Sequence, residues 1–185
     1  MPQGMTVFVI YETPAGAETA VDNLIREHFP SNDISVLLPD NLPETNAIAA
    51  GRLNLHEVDP PGAGSHHVLG GTLGVLAGLS MLAIPGLGPL VGEGTLKAGL
   101  AGLGVKNAIG RVAQALIRMG VPELEAKRYE DRLHQRTILM SVRCASPEAA
   151  ARAVEILKRN GGQDVCISTR DSAVDVSHRT RQETD

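Results

Sequence analysis

The run Thr6-Val-Phe-Val-Ile-Tyr11 combines β-branched and aromatic residues and predicts a β-strand. Pro14 follows closely and is typical of a first helical turn. Apolar residues then recur every three or four positions, at Ala17, Ala20, Val21, Leu24 and Ile25. Pro30 stops this helix, and Ile34-Ser-Val-Leu-Leu38 predicts a second strand. The beginning of the chain therefore predicts a βαβ unit.

The same order of elements returns near the C-terminus. Thr137-Ile-Leu-Met-Ser-Val142 predicts a strand, and Ser146-Pro147 predicts a helix start with a capping hydroxyl followed by proline. Gly161-Gly162 ends that helix, and Asp164-Val-Cys-Ile-Ser168 predicts the last strand. Two such βαβ units forming one four-stranded antiparallel sheet make the ferredoxin-like arrangement. We therefore predict an α+β fold, a ferredoxin-like split βαβ/βαβ sheet.

Five segments follow from this pattern. They are a first βαβ half at 1–40, a polar linker at 41–67, a glycine-rich insertion at 68–120, a charged helix with the second βαβ half at 121–171, and a tail at 172–185. The two halves are expected to share one sheet, and the polar tail is expected to be disordered.

The insertion is predicted to be an apolar helical hairpin. No charged residue occurs between Val68 and Gly92. A helix-breaking turn is expected in the run Ile84-Pro-Gly-Leu-Gly-Pro89, which divides the region into two arms. The turn residues are Pro85, Gly86, Gly88 and Pro89.

Glycines in the first arm are spaced for close helix packing. Gly70, Gly74 and Gly78 fall four residues apart on one face, and Gly99 is the candidate in the second arm. Each glycine costs a helix about 1 kcal/mol relative to alanine, so such a series indicates close approach of another helix. That helix belongs either to the same hairpin or to a second copy of the chain.

A membrane-spanning hairpin is disfavoured by length and charge. Because the two βαβ halves share a sheet, both arms cross a bilayer or neither does. The first arm, Val68 to Ala83, is about 24 Å long as a helix, which is short of a hydrocarbon core of about 30 Å. Lys106 falls in the middle of the second arm, where a cation costs about 3 kcal/mol. Shallow insertion or a buried oligomer core fits better.

Both faces of the predicted sheet are apolar. Val7 and Val9 point to one face, whereas Phe8 and Ile10 point to the other. The two helices of the βαβ units cover one face, and the other face requires the hairpin or a second subunit. This pattern favours a homo-oligomer.

Composition excludes some classes of partner. The formal charge is -4, and the chain has two Tyr, two Phe and no Trp. It therefore lacks both the basic field and the stacking residues of a nucleic-acid-binding protein. The N-terminal region has no basic segment followed by a long apolar run, so we expect a cytoplasmic protein, either free or attached to or inserted in the inner membrane.

No motif predicts catalysis, a cofactor or a metal. Gly92-Glu-Gly94 does not complete a dinucleotide-binding fingerprint. His66-His67 has no accompanying cluster of metal ligands. Cys144 and Cys166 lie on predicted strands that the first strand separates, which argues against a disulfide. We expect no catalytic residue, no cofactor and no metal, and hence a protein that is not an enzyme.

A charged helix over Glu123–Gln135 supplies candidate surface contacts. Lys127, Arg128 and Arg132 could meet anionic headgroups if the hairpin touches a membrane. A solvated helix face with i,i+4 pairs such as Glu123–Lys127 is the alternative.

Three segments of the chain resemble a known family. They are Ala83-Ile-Pro-Gly-Leu-Gly-Pro89, Gly120-Val-Pro-Glu-Leu-Glu-Ala-Lys-Arg-Tyr129 and Thr137-Ile-Leu-Met-Ser-Val-Arg-Cys144. These resemble bacterial general stress proteins, which are induced by heat or low temperature and overlap in description with the ActD-like subunit of a quinol:electron acceptor oxidoreductase. The likeness runs from about Thr6 to Asp171. It implies a membrane-associated hairpin and no catalytic residues.

Three functional hypotheses follow. The first is a non-enzymatic, stress-associated protein that self-assembles through its glycine-rich hairpin, at or near the membrane surface. The second is an accessory or scaffold subunit of a membrane redox complex. The third is a small-molecule-binding module with a cleft between sheet and hairpin.

Overall fold

The computed structural model describes residues 4–39, 76, 81–84, 87–101 and 112–169. The strands are β1 Met5–Tyr11, β2 Ile34–Leu37, β3 Met81–Ile84, β4 Gly88–Gly92, β5 Ile138–Cys144 and β6 Gln163–Thr169. The helices are α1 Pro14–Arg26, α2 Thr95–Ala101, α3 Val112–Arg118, α4 Glu123–His134 and α5 Pro147–Arg159. A single 3-10 turn at Ser31–Asp33 leads into β2. The predicted α+β class is confirmed.

The strands form one antiparallel sheet in the order β3-β4-β2-β5-β1-β6. Strands β1 and β2 both run antiparallel to β5, which lies between them. In the same way β5 and β6 flank β1. The two βαβ units therefore interleave. The prediction of four strands is wrong, because the described residues contain six.

The two extra strands come from the segment predicted to be a helical hairpin. Strand β4 pairs with the outer side of β2, with Val36 opposite Val91 and Leu37 opposite Leu90. Leu90 and Val91 are both fully buried, and they belong to the cores on opposite faces of the sheet. A strand buried on both faces is apolar throughout, and periodicity alone does not distinguish such a run from a buried helix. This part of the helical-hairpin prediction is wrong for that reason.

The predicted turn joins two strands instead of two helices. The Leu87 amide donates to the Ile84 carbonyl at 3.1 Å. Gly88 and Pro89 begin β4, with Gly88 at a φ of 114°. Pro85 and Gly86 lie outside the described residues. Helices do form farther along the insertion, as α2 and α3.

Helices α1 and α5 cover one face of the sheet, and local sequence explains where each begins. The Thr13 hydroxyl accepts a hydrogen bond from the Gly16 amide at 3.3 Å, and the Ser146 hydroxyl accepts one from the Ala149 amide at 3.2 Å. Pro14 and Pro147 begin these helices and Ser146 caps the second, as predicted, whereas the Thr13 cap was not predicted. The core beneath them includes Val7, Val9, Ala17, Leu24, Val36, Met140, Ala153 and Leu157.

Helices α2, α3 and α4 cover the other face. Their core includes Phe8, Ile10, Leu37, Leu96, Leu100, Leu116, Ala126, Tyr129 and Leu139. The sequence left two covers open for this face, the insertion or a second subunit. The cover observed is supplied by the insertion and the helix that follows it.

Tyr129 ties α4 to the outer strand β6. Its hydroxyl contacts the carbonyl oxygens of Phe8 and Asp164. Burial raises the pKa of Tyr129 far above its usual value, so the hydroxyl remains a donor at neutral pH. Asp164 adopts a φ of 50° beside a register shift in the β1–β6 pairing, and its carboxylate accepts a hydrogen bond from Arg132 at 3.1 Å. An irregular, covered edge strand of this kind resists pairing with another chain.

Gly92 provides a test of the strand assignment for β4. Its φ is 94°, and a Cβ there would collide with the Ile34 carbonyl oxygen. We expect Gly92→Ala to lower the free energy of unfolding by about 3 kcal/mol, from strain plus the collision. If this segment were helical, the same substitution would raise stability by about 1 kcal/mol.

Gly161→Ala is the matched control, measured in the same urea denaturation series. Gly161 has a similar φ of 87°, but nothing lies within 4 Å of its Cβ position. We expect a loss of about 1 kcal/mol from backbone conformation alone. Equal losses in the two variants would contradict the pairing of β4 with β2.

Candidate site: a polar cavity at one end of the sheet

One end of the second sheet face is polar. Thr6 of β1 pairs with Arg143 of β5 on one side and with Ser168 of β6 on the other. The Arg143 Nε donates to Asp33 Oδ1 at 2.7 Å, and Asp33 directly precedes β2. These four residues therefore make one row across four strands, which we call the polar row.

A second row lies one step inward along the strands. Ser35 pairs with Ser141, and Phe8 pairs with both Ser141 and Cys166. Farther along the same face come Leu37, Leu139 and Ile10, which are fully buried. The face thus changes from polar to apolar along the strands.

A cavity of about 430 Å³ lies between the polar row and helices α2 and α3. The sheet contributes Gly4, Thr6, Arg143 and Ser168, the start of α2 contributes Glu93, Gly94, Thr95, Ala98 and Gly99, and the end of α3 contributes Ala115, Arg118 and Met119. We call this space the polar cavity. Strands and helices form most of its walls, and Gly4, Glu93, Gly94 and Met119 lie directly beside their ends.

Two glycines let α2 approach its neighbours. A Cβ on Gly94 would lie 2.6 Å from Ser35 Oγ and 3.0 Å from the Asp33 carbonyl oxygen. A Cβ on Gly99 would lie 2.5 Å from Met119 Sδ. Gly99 was predicted to contact another helix, and in the structure it approaches the residue that follows α3 in the same chain.

Hydroxyl groups of the lining are partly used within the protein. The Ser168 hydroxyl donates to the Met119 carbonyl at 2.6 Å, which ties β6 to the end of α3. The Thr6 hydroxyl donates to the Thr95 hydroxyl at 3.4 Å, a long bond between β1 and α2. These bonds fix the side chains and leave lone pairs on Ser168 Oγ and the hydrogen of the Thr95 hydroxyl available.

Three charged groups line the polar cavity. Arg143 is neutralised by Asp33, which its Nη2 also contacts. Glu93 and Arg118 are exposed, and neither forms an ion pair with the other or with any residue in the described part of the chain. Among the described residues, one carboxylate and one guanidinium therefore line the cavity without an ion-pair partner.

Ser35 and Ser141 are an unusual buried pair. Both are 0% exposed, and neither hydroxyl oxygen has a hydrogen-bond partner in the part of the chain that the structure describes. They lie in the row next to the polar row, with Ser35 Oγ against Gly94 of α2. An unpartnered buried hydroxyl costs stability, so these serines mark a poorly satisfied layer beside the cavity.

The other residues predicted from sequence lie elsewhere. Gly70, Gly74 and Gly78 fall outside the described residues, as do His66 and His67. On α4 the candidate membrane contacts are all ion-paired: Lys127 with Glu123 at 2.7 Å, Arg128 with Glu125 at 3.1 Å and Arg132 with Asp164 at 3.1 Å. These pairs neutralise the cations locally, and the three side chains do not line the polar cavity.

The cysteines are free thiols, as the predicted strand order requires. Burial raises the pKa of Cys144 to about 11 and also raises the pKa of Cys166. Both thiols are therefore protonated at neutral pH and weakly nucleophilic.

The described ranges contain neither a membrane-spanning helix nor a cluster of metal ligands. There, no helix combines the length and apolar character that crossing a bilayer requires. Within those ranges, no three potential metal ligands come together.

Apart from Gly99, which was a candidate for helix packing, the residues that line the polar cavity were not candidates from sequence. Thr6 and Phe8, Ser141 and Arg143, and Cys166 and Ser168 each share a face at a spacing of two. That pattern shows a polar residue at the end of each strand. Only the register of the pairing shows that these polar ends fall in one row.

Comparisons with protein-family models, with curated proteins and with solved structures return no match for this chain. The resemblance to general stress proteins therefore remains a prediction from sequence.

Serine-to-alanine substitutions test the polar layer. We expect Ser35→Ala and Ser141→Ala to leave the free energy of unfolding unchanged or to raise it by up to about 1 kcal/mol, because each removes an unpartnered buried hydroxyl. Ser168→Ala is the control: it removes the hydrogen bond to Met119 and should lower the free energy of unfolding by about 1 kcal/mol. Urea denaturation measures all three, and a clear loss of stability in Ser141→Ala would show that its hydroxyl is satisfied.

Proposed function

We propose that this protein is a small-molecule-binding module and that the polar cavity is its ligand site. The observation that carries the proposal is the cavity of about 430 Å³ between the polar row and the helices of the insertion. Ligand pockets in proteins have volumes of about 300–1,000 Å³ and a few placed polar groups on an otherwise formed scaffold. Both features are present.

The architecture supports this proposal. We infer that strands β6-β1-β5-β2, with α1 and α5, make a ferredoxin-like core that β4 and β3 extend at one edge. The insertion then covers the second face of the sheet. The polar cavity lies at the end of that face where α2 and α3 approach the polar row. A cleft between sheet and insertion is what the third sequence hypothesis requires.

The lining suits recognition. Hydroxyl groups, one carboxylate and two guanidinium groups give it donors and acceptors of defined direction. Ala98, Gly99 and Met119 add apolar contact surface on the helix side. A polar ligand with a small apolar body matches this combination.

A cavity-filling variant tests the proposal. Ala98 lines the cavity from α2, and Ala98→Leu should occupy part of the space without disturbing the sheet. Fragments that shift the amide signals of Gly94 and Gly99 in ¹⁵N-labelled wild-type protein should lose at least about tenfold in affinity in Ala98→Leu, because the leucine takes their place.

Ala151→Leu is the matched control, since Ala151 is an exposed alanine on α5, across the sheet from the cavity. It should bind the same fragments as the wild type. Fragments that bind Ala98→Leu as well as they bind the wild type, or a screen in which no polar fragment shifts Gly94 and Gly99, would contradict the proposal.

Self-assembly through the glycine series remains a hypothesis from the sequence. Light scattering coupled to size-exclusion chromatography without detergent tests it directly. A discrete oligomer in the wild type that Gly74→Leu converts to a smaller species would support it, because leucine prevents close helix approach. A wild type that is monomeric, or an oligomer that Gly74→Leu leaves intact, would contradict it.

The hypothesis of a redox-complex subunit rests on the family resemblance. Detergent-dependent solubility and co-purification of quinone are the results that would favour it.

A further inference from the structure

We propose that the ligand of the polar cavity is a small zwitterion, a molecule that carries one anionic and one cationic group, as amino-acid-like compounds do. This inference rests on the proposed function and adds the chemical class of the ligand. It is carried by two opposite charges, on Glu93 and Arg118, that line one cavity and are not paired within the described part of the chain.

Their place at the cavity, and the contrast with the cations of α4, make these two charges informative. Glu93 lies just before α2, and Arg118 is the last residue of α3. On neighbouring α4 the cations have carboxylate partners within 3.1 Å, namely Lys127, Arg128 and Arg132. Glu93 and Arg118, unlike these α4 cations, have no ion-pair partner among the described residues, and both line the polar cavity.

The charge balance of the cavity selects against singly charged ligands. Arg143 is neutralised by Asp33, so among the described residues of the lining Arg118 and Glu93 are the two charges without an ion-pair partner. An anion would be attracted to Arg118 and repelled by Glu93, and a cation would experience the reverse. A molecule that presents a carboxylate to Arg118 and an ammonium group to Glu93 gains from both.

The hydroxyl groups complement the same ligand. The Thr95 hydroxyl accepts from Thr6, so its own hydrogen is free to donate to a carboxylate. The Ser168 hydroxyl donates to Met119, so its remaining lone pairs can accept from an ammonium group. Donor and acceptor capacity is therefore present together in the lining, in addition to the two charges.

The experiment uses matched probes with the full-length, ¹⁵N-labelled protein. The probes are ω-amino acids of two to six carbons, the corresponding carboxylates without the amine, the amines without the carboxylate, and the neutral amides. Dissociation constants are taken from the amide shifts of Gly94 and Gly99. The best ω-amino acid should bind about tenfold more tightly than any analogue that lacks one or both charges.

Two variants assign the charges. Glu93→Gln should weaken the best zwitterion about tenfold, to the value of its carboxylate analogue, and Arg118→Gln should weaken it to the value of its amine analogue. Both side chains are exposed, and an unchanged amide spectrum away from the cavity shows that each variant is folded. The controls Glu148→Gln and Lys158→Gln change exposed charges on α5 and should leave binding unchanged.

The outcomes separate this inference from the proposed function. Neutral amides that bind as tightly as the zwitterions, with the same shifts, would contradict a zwitterionic ligand but would still support the proposed binding function. Carboxylates or amines that match the zwitterions, or variants with unaltered affinity, would overturn it in the same way. If none of these probes and no fragment shifts Gly94 and Gly99, both proposals fail together.

Discussion

The pairing of β1 with β5 at the centre of the sheet imposes the constraint on which the rest of the structure depends. Seven consecutive residue pairs join these strands, from Met5–Cys144 to Tyr11–Ile138. Val7 and Val9 on one side, and Phe8 and Ile10 on the other, are fully buried. A sheet with two apolar faces requires a layer on each, because exposed apolar area of that size is unfavourable in water. The two βαβ helices supply one layer, and the insertion with α4 supplies the other.

The arrangement of these two layers also determines where the polar cavity lies. The apolar residues of helices α2 and α3 cover the apolar part of the second face, and the start of α2 and the end of α3 lie near the polar row. The row itself follows from strand register, since Thr6 meets Arg143 and Ser168 across the sheet. Where the face turns polar, tight apolar packing has no driving force, and an accessible space remains beside charged and hydroxyl groups. The proposed ligand site is therefore the place where the covering layer ends.

Much of the fold, but little of the candidate site, could be predicted from the sequence. Helices α1 and α5 were predictable because capping residues and prolines, Thr13-Pro14 and Ser146-Pro147, act on their own neighbours. Strand β4 was not, because Leu90 and Val91 are buried on both faces and their run has no alternation. Each polar residue near a strand end could be identified from the sequence. No local pattern, however, relates Arg143 to Ser168, because both lie beside Thr6 only through the pairing of three strands.

By itself the sequence determined the two βαβ units, the boundaries of their helices and the need for a cover on the second face, since these follow from propensity, capping and the period of apolar residues. The tertiary structure decided which segment forms that cover, that part of the insertion becomes two strands, and that Glu93 and Arg118 face one cavity. These outcomes depend on contacts between residues far apart in the chain. Strand β4 pairs with the side of β2 that faces away from β5. Which side of β2 remains available depends on the pairing of β5 with β1 and β2.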